Sequence, residues 1–231
     1  MNIWTEEQWT TGVLSKRQLI AMIEKGHIKV EELREEDVDY SSIDLHLSDE
    51  AYEVVNGTIK PCGADYSVFL REEDYATRLE PDENAEFKLK AHKIYLFRLQ
   101  ERLSYSLANS GFYGQATAKS SIGRLDVIAR TIINGMNSYE ELDPTNLGTG
   151  SGEIYLEIIP ITFNIKVKKG TSLTQLRLFY GRAEDATINY PEVIKSFLYN
   201  AEGGIGLLSV NLTNTEVGGV NVAAFSAVGS R

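Results

Sequence analysis

The chain has 231 residues, 42% of them hydrophobic and 24% charged, the composition of a globular protein rather than a disordered, collagen-like or coiled-coil one. A net charge of −10 disfavours non-specific binding to nucleic acid or an anionic membrane surface, and no run approaches the roughly 20 apolar residues that span a bilayer. One cysteine, Cys62, and three histidines, His27, His46 and His92, exclude an internal disulfide and give no zinc-site spacing.

Residues 1–7 carry neither a basic nor an apolar leader pattern, so a soluble, cytoplasmic protein is expected. Ser15-Lys-Arg-Gln18 reads as a capping box, with Leu14 and Leu19 as a hydrophobic staple and Gly26 as the stop, predicting a helix over 15–25. Residues 31–39 are strongly acidic and expected to be exposed. Ile43, Leu45 and Leu47 then alternate with Ser42, Asp44 and His46, the period of a half-buried strand. Residues 87–89, 93–99, 154–158, 161–167 and 172–180 continue the series of strand-like runs, separated by Asn56-Gly57, Gly148 to Gly152 and Lys169-Gly170. Many short strands with little helix point to a mainly antiparallel barrel or jelly roll. Pro191 opens a second short helix through about Asn200, ended by Gly203-Gly204. The tail 205–231, rich in Gly, Val, Asn and Ala, reads as a final strand or as the beginning of something longer.

The charge is uneven. Residues 1–102 hold 22 acidic and 13 basic side chains, a net of −9, whereas residues 115–182 hold six acidic and eight basic, a net of +2. An anionic small molecule would favour the second stretch, although such a segment equally makes an ordinary solvated face.

Within it, Ala118-Lys-Ser-Ser-Ile-Gly-Arg-Leu-Asp126 is the densest cluster of chemical groups. Lys119 and Arg124 suit phosphate, one as a point charge and the other as a fork. Ser120 and Ser121 add neutral donors, and Gly123 permits close backbone approach. The pattern is not a P-loop, and a polar turn entering a helix would look the same. Glu157 lies inside Ile154-Tyr-Leu-Glu-Ile-Ile159, an otherwise apolar run. A carboxylate there either has a partner or is poised for proton transfer. Arg124, Arg130 and Arg177 are candidate partners, and a solvent-facing alternate position is the other ordinary reading.

Taken together, Ser41-Ser-Ile-Asp-Leu-His-Leu47, Ala118-Lys-Ser-Ser-Ile-Gly-Arg124, Asp143-Pro144, Gly152-Glu-Ile-Tyr-Leu-Glu157 and Leu173-Thr-Gln-Leu-Arg-Leu178 resemble the dCTP deaminase branch of the trimeric dUTPase-like superfamily, over about residues 13–182. The resemblance implies a distorted jelly-roll or β-barrel of the dUTPase-like, β-clip type with short helices. It also implies a homotrimer whose active sites are shared between neighbouring subunits, and hydrolytic deamination of dCTP to dUTP and ammonia. Mg²⁺ would accompany the triphosphate, and no zinc would take part. Zinc-dependent nucleobase deaminases use an H-x-E…P-C-x-x-C set, which this chain cannot supply. Under this resemblance Glu157 is the general base, Ser120 orients water or the base edge, and Arg124 stabilises charge and holds Glu157. Lys119 and Ser121 contact phosphate, while Asp143 and Gln175 are further nucleotide contacts.

Two departures accompany the match. Thr145-Asn-Leu-Gly-Thr-Gly-Ser151 forms a longer loop than the family's usual turn, and no Tyr-x-Gly-Gln segment follows Tyr180. Gly-Arg-Leu-Asp126 and Pro160-Ile-Thr-Phe163 look closest to the N-terminal half of a longer, two-copy form. The expected organisation is therefore a barrel domain over 1–182 and a helical link and tail over 183–231, where Ser209-Val-Asn-Leu212 faintly echoes Ser42-Ile-Asp-Leu45 as the start of a second copy. The alternatives are a dUTP diphosphatase, a bifunctional dCTP-to-dUMP enzyme, or a non-catalytic nucleotide-binding trimer module.

Overall fold

Ser15 begins the first helix by donating its backbone N–H to Gln18 Oε1 at 2.9 Å, and helix α1 runs over Lys16–Glu24. Leu14 and Leu19 are both buried against the core. At the other end Gly26 takes φ +73°, and the N–H groups of Gly26 and His27 return to the carbonyls of Ile23 and Met22. This paired closure needs a left-handed residue, which glycine supplies without steric cost.

The computed structural model describes residues 11–31, 33–55, 59–108, 110–147, 152–181, 214–217 and 220–223. The chain divides into two compact units, Met1–Ala186 and Thr187–Arg231. The first contains β1 (Gly12–Val13), α1, β2 (Ile28–Lys29), β3 (Ile43–Val54), α2 (Tyr66–Phe69), β4 (Ala76–Leu79), β5 (Glu86–Leu89) and β6 (Tyr95–Leu103). It continues through β7 (Phe112–Ala118), α3 (Ser120–Arg124), β8 (Val127–Ile133), β9 (Glu141–Leu142), β10 (Gly152–Pro160), β11 (Ile165–Lys168) and β12 (Ser172–Tyr180). In the second unit β13 (Asn214–Val217) and β14 (Val220–Ala223) pair as an antiparallel hairpin. The helix expected over 191–200 lies outside the described residues.

The principal sheet follows the order β8-β10-β6-β3-β12-β7-β9, and every pairing is antiparallel. Its two ends approach one another. Glu140, just before β9, donates its N–H to the Thr131 carbonyl of β8 at 2.8 Å and accepts from the Ala116 N–H of β7 at 2.7 Å. The hydroxyls of Thr131 and Thr174 meet at 3.0 Å. The expected mainly-β barrel, nearly closed, is what the chain forms.

Alternation explains the core. Ile43, Leu45 and Leu47 of β3 meet Phe97 and Leu99, Ile154, Leu156 and Ile158, and Leu176 and Leu178 in one buried cluster. The opposite face of β10 is also covered, with Tyr155 packed among Tyr52, Tyr66, Leu96 and Ile132. Double coverage explains why β10 reads as a continuous apolar run.

Three expectations change. β3 extends to Val54, beyond the alternating motif, and His46 is buried rather than facing water. The strand expected over 161–167 begins only at Ile165: the Ile161 N–H still follows the β10–β8 register, donating to the Asp126 carbonyl at 3.0 Å, and the chain bends over 161–163 before β11. Among the described residues, no helix is long and apolar enough to cross a membrane.

Candidate active site

The Lys-Ser-Ser-Ile-Gly-Arg motif forms the connection between β7 and β8. Lys119 precedes α3 with an extended backbone, and Arg124 ends the helix. Asp126, at φ +54°, turns the chain from α3 into β8. Its carboxylate accepts the Thr162 hydroxyl, and its own N–H returns to the Gly123 carbonyl at 3.0 Å. Short polar side chains such as Asp tolerate the left-handed region better than most. Ser120, Ser121 and Arg124 are exposed.

Lys119 Nζ is paired with the Asp44 carboxylate on β3. Asp44 stands opposite Gln175 in the β3–β12 register. The Ser42 hydroxyl donates to Gln175 Oε1 at 3.2 Å, and Gln175 Nε2 points at the Thr117 hydroxyl from 3.4 Å. Lys119 and Gln175 therefore belong to one polar cluster built by the ends of β3, β7 and β12. Asp44 and Thr117 join it through strand pairing, with no local sequence signal to mark them.

Glu157 belongs to a second cluster. It is 1% exposed and stands opposite Arg130 in the β8–β10 register. Arg130 donates to Glu157 Oε1 through Nε at 3.1 Å and Nη2 at 2.6 Å. The Tyr139 hydroxyl donates to Oε2 at 3.2 Å. Arg130 also lays its guanidinium over the Tyr139 ring, 4.1 Å from the centroid. Burial and the Glu157 charge push the Tyr139 hydroxyl up to about 12, so it stays a donor at neutral pH.

Within the chain, the guanidinium on Glu157 is thus Arg130's and not Arg124's. The solvent-facing reading of Glu157 is excluded by its burial. Among the described residues, no hydrogen bond or ion pair joins Glu157 to Lys119, Ser120, Ser121, Arg124 or Gln175. Arg130 lies three residues into β8, about 10 Å from the strand's start at a rise of about 3.3 Å per residue, with α3 beyond. Asp143 stands apart from both clusters. Its Oδ1 accepts from the Thr145 N–H at 3.0 Å and the Thr145 hydroxyl at 2.7 Å, and its Oδ2 accepts from Asn146 at 3.1 Å, so the carboxylate caps its own turn.

Among the described residues, no group of three His, Cys, Asp or Glu side chains converges as a metal site.

The family model for the 2'-deoxycytidine 5'-triphosphate deaminase (DCD) N-terminal domain matches residues 10–182. The chain belongs to the dCTP deaminase family. A crystal structure of 2'-deoxycytidine 5'-triphosphate deaminase from Agrobacterium tumefaciens is similar at 27% identity and a TM-score of 0.66, covering 91% of this chain. The chain spans 62% of that protein's length. The native EIAV dUTPase is a weaker match, at 18% identity and a TM-score of 0.30 over 49% of this chain and 89% of that one. No curated protein matches the chain by sequence. The dCTP deaminase domain thus includes both polar clusters, and its match ends just after β12.

Proposed function

We propose that this protein deaminates dCTP to dUTP and ammonia, with Glu157 activating water and no zinc taking part. The observation that carries the reading is a carboxylate buried in the wall of a dCTP deaminase-family barrel and held by an arginine and a tyrosine. In the proposed reaction Glu157 takes a proton from water as the oxygen attacks C4 of cytosine. It then passes a proton to N3 or to the departing amine, which leaves as ammonia. One cysteine cannot furnish the H-x-E…P-C-x-x-C set of the zinc-dependent deaminases.

Ser120 is assigned to the water or base edge and Arg124 to charge near the ring. Lys119, Ser121 and Gln175 are assigned to the nucleotide, and Mg²⁺ enters with the triphosphate. The separation of α3 from Glu157 within one chain favours a site completed by a neighbouring copy in a homotrimer. That arrangement would bring one copy's Ser120 and Arg124 to another's Glu157.

Hydrolysis of dUTP at the α-phosphate is the competing reading and needs a carboxylate free to activate water. Of the two candidates, Asp143 caps its own turn with its carboxylate and Asp126 accepts the Thr162 hydroxyl on a distant segment, which favours deamination. Incubation with dCTP, and separately with dUTP and Mg²⁺, followed by assays for ammonia and pyrophosphate, tests the proposal. Ammonia from dCTP that disappears in Glu157→Gln is the expected result. Ammonia release that survives Glu157→Gln overturns the general-base role, and pyrophosphate from dUTP without ammonia selects the diphosphatase. Nucleotide binding with neither product selects the non-catalytic module.

A further inference from the structure

We propose that Arg130 and Tyr139 are positioning residues that divide the labour between the two oxygens of Glu157, with Arg130 occupying Oε1 and Tyr139 orienting Oε2 as the oxygen that takes the proton. The inference rests on the reading of Glu157 as general base and goes beyond it by naming the reacting atom and the residues that select it.

An ionised carboxylate offers about four lone-pair sites, two on each oxygen. Oε1 receives two N–H groups from Arg130, at 3.1 and 2.6 Å, and is filled. Oε2 receives only the Tyr139 hydroxyl, at 3.2 Å, among the described residues. One lone-pair site remains, and it is on Oε2. A water bound there would face an oxygen that no cation touches directly, whereas Oε1 shares its electron density with a guanidinium.

The two partners also lock each other. The Arg130 guanidinium lies over the Tyr139 ring, an arrangement stabilised by attraction between cation and π-face. Turning the Glu157 carboxylate away from this arrangement would break three hydrogen bonds and leave a buried carboxylate unpartnered, which is costly. Exchange of its two equivalent oxygens restores the same arrangement, with one oxygen on Arg130 and the other on Tyr139. The Glu157 side chain is 1% exposed and the Arg130 side chain 38%, so the arginine links the buried acid to the surface. Because burial and the neighbouring negative charge keep Tyr139 protonated at neutral pH, its hydroxyl orients the acid and does not relay the proton.

The test uses the full chain and dCTP, comparing wild type with Tyr139→Phe, Arg130→Gln, Arg130→Lys and Glu157→Gln in kcat, KM and pH–rate profile. Tyr139→Phe is expected to lower kcat about ten- to 100-fold, the value of one hydrogen bond to a charged group, with little change in KM. Arg130→Gln is expected to lower kcat by about 100-fold and to alter the pH–rate profile. Arg130→Lys restores the charge but not the fork, and is expected to return the wild-type profile while recovering only part of kcat.

Thermal unfolding identifies any variant that fails to fold, and a folded Arg130→Lys or Tyr139→Phe still decides the matter. Wild-type kcat and profile in folded variants, alongside an inactive Glu157→Gln, overturn the clamp and leave the general base standing. Activity in Glu157→Gln, or no ammonia from the wild type, overturns the underlying reading and the clamp with it.

Discussion

His46 binds both oxygens of Glu101, giving its backbone N–H to Oε2 at 2.9 Å and setting Nδ1 2.8 Å from Oε1. On the far side of the ring, Nε2 lies 3.0 Å from Arg34 Nη2 and 3.2 Å from Asp37 Oδ1. A neutral ring can accept from Arg34 there, while a protonated ring must donate, and Asp37 is the acceptor in reach. The hydrogen bond to Glu101 raises the His46 pKa above its ordinary 6.5, against the opposing effect of burial; the charges of Glu101 and Asp37 add to the rise and that of Arg34 opposes it.

A raised folded-state pKa means that the native protein holds this proton more tightly than the unfolded chain. The stabilisation is fully present below the unfolded value near 6.5 and is lost as pH rises through the folded value. Melting temperatures of wild type and Glu101→Gln, compared between pH 5.5 and 9, are expected to differ most at the acid end and to converge as pH rises. A constant difference across that range would show that His46 contributes no pH-linked stability.

Gly152 is sterically required. A Cβ at this position would lie 2.6 Å from the Leu103 carbonyl oxygen across the β10–β6 pair. Gly152→Ala is expected to cost about 1–3 kcal/mol, the usual range for overpacking, in urea unfolding. Gly123, in exposed α3, would place a Cβ in open space. Gly123→Ala is expected to stabilise by up to about 0.5–1 kcal/mol through helix propensity. Equal effects from the two substitutions would contradict the packing argument.

Lys119→Met is expected to weaken dCTP binding about tenfold, equivalent to about 1.4 kcal/mol, if Lys119 exchanges Asp44 for phosphate. Its pair with Asp44 is partly exposed, so the loss of folding stability should stay below about 1 kcal/mol. Calorimetric titration beside thermal unfolding separates the two quantities, and unchanged affinity removes Lys119 from the phosphate site.

Among the described residues the buried Tyr66 hydroxyl has no well-formed hydrogen bond, the Cys62 thiol nearby being at most a weak partner, and burial first, then Cys62, Tyr139 and Glu157, pushes its pKa up. Tyr66→Phe keeps the ring against Tyr155, 5.8 Å away between centroids, and removes a desolvated polar group. Stability is expected to stay level or rise by about 1–3 kcal/mol. A clear loss in chemical denaturation would mean that the hydroxyl has a partner.

Local chemistry made α1 legible, since Ser15, Gln18 and Gly26 each act within one turn. It also exposed Glu157 as a misfit in an apolar strand. The identity of its partner was not readable, because Arg124, Arg130 and Arg177 were equally available until the β8–β10 register placed Arg130 opposite. Tyr139 and Asp44 were harder still. Tyr139 lies in a loop with no periodicity, and Asp44 meets Lys119 across 75 residues of chain. The overlong reading of 161–167 merged two elements: Ile161 still belongs to the β10–β8 register, and the bend over 161–163 that separates it from β11 contains no glycine or proline to mark it.

The way β8 closes the barrel gives the wall a crack. One edge of β8 is laddered to β10 along its whole length, whereas the other is held, among the described residues, by one backbone bond to Glu140 and one hydroxyl pair with Thr174. Outward breathing would therefore part the β8–β10 leaf from the β7–β12 leaf without breaking a strand pair. Glu157 and Arg130 ride on the first leaf, Gln175 on the second, and α3 is the covalent joint between them. Parting at this seam would change the distance between the acid and the cation motif while leaving every strand pair intact.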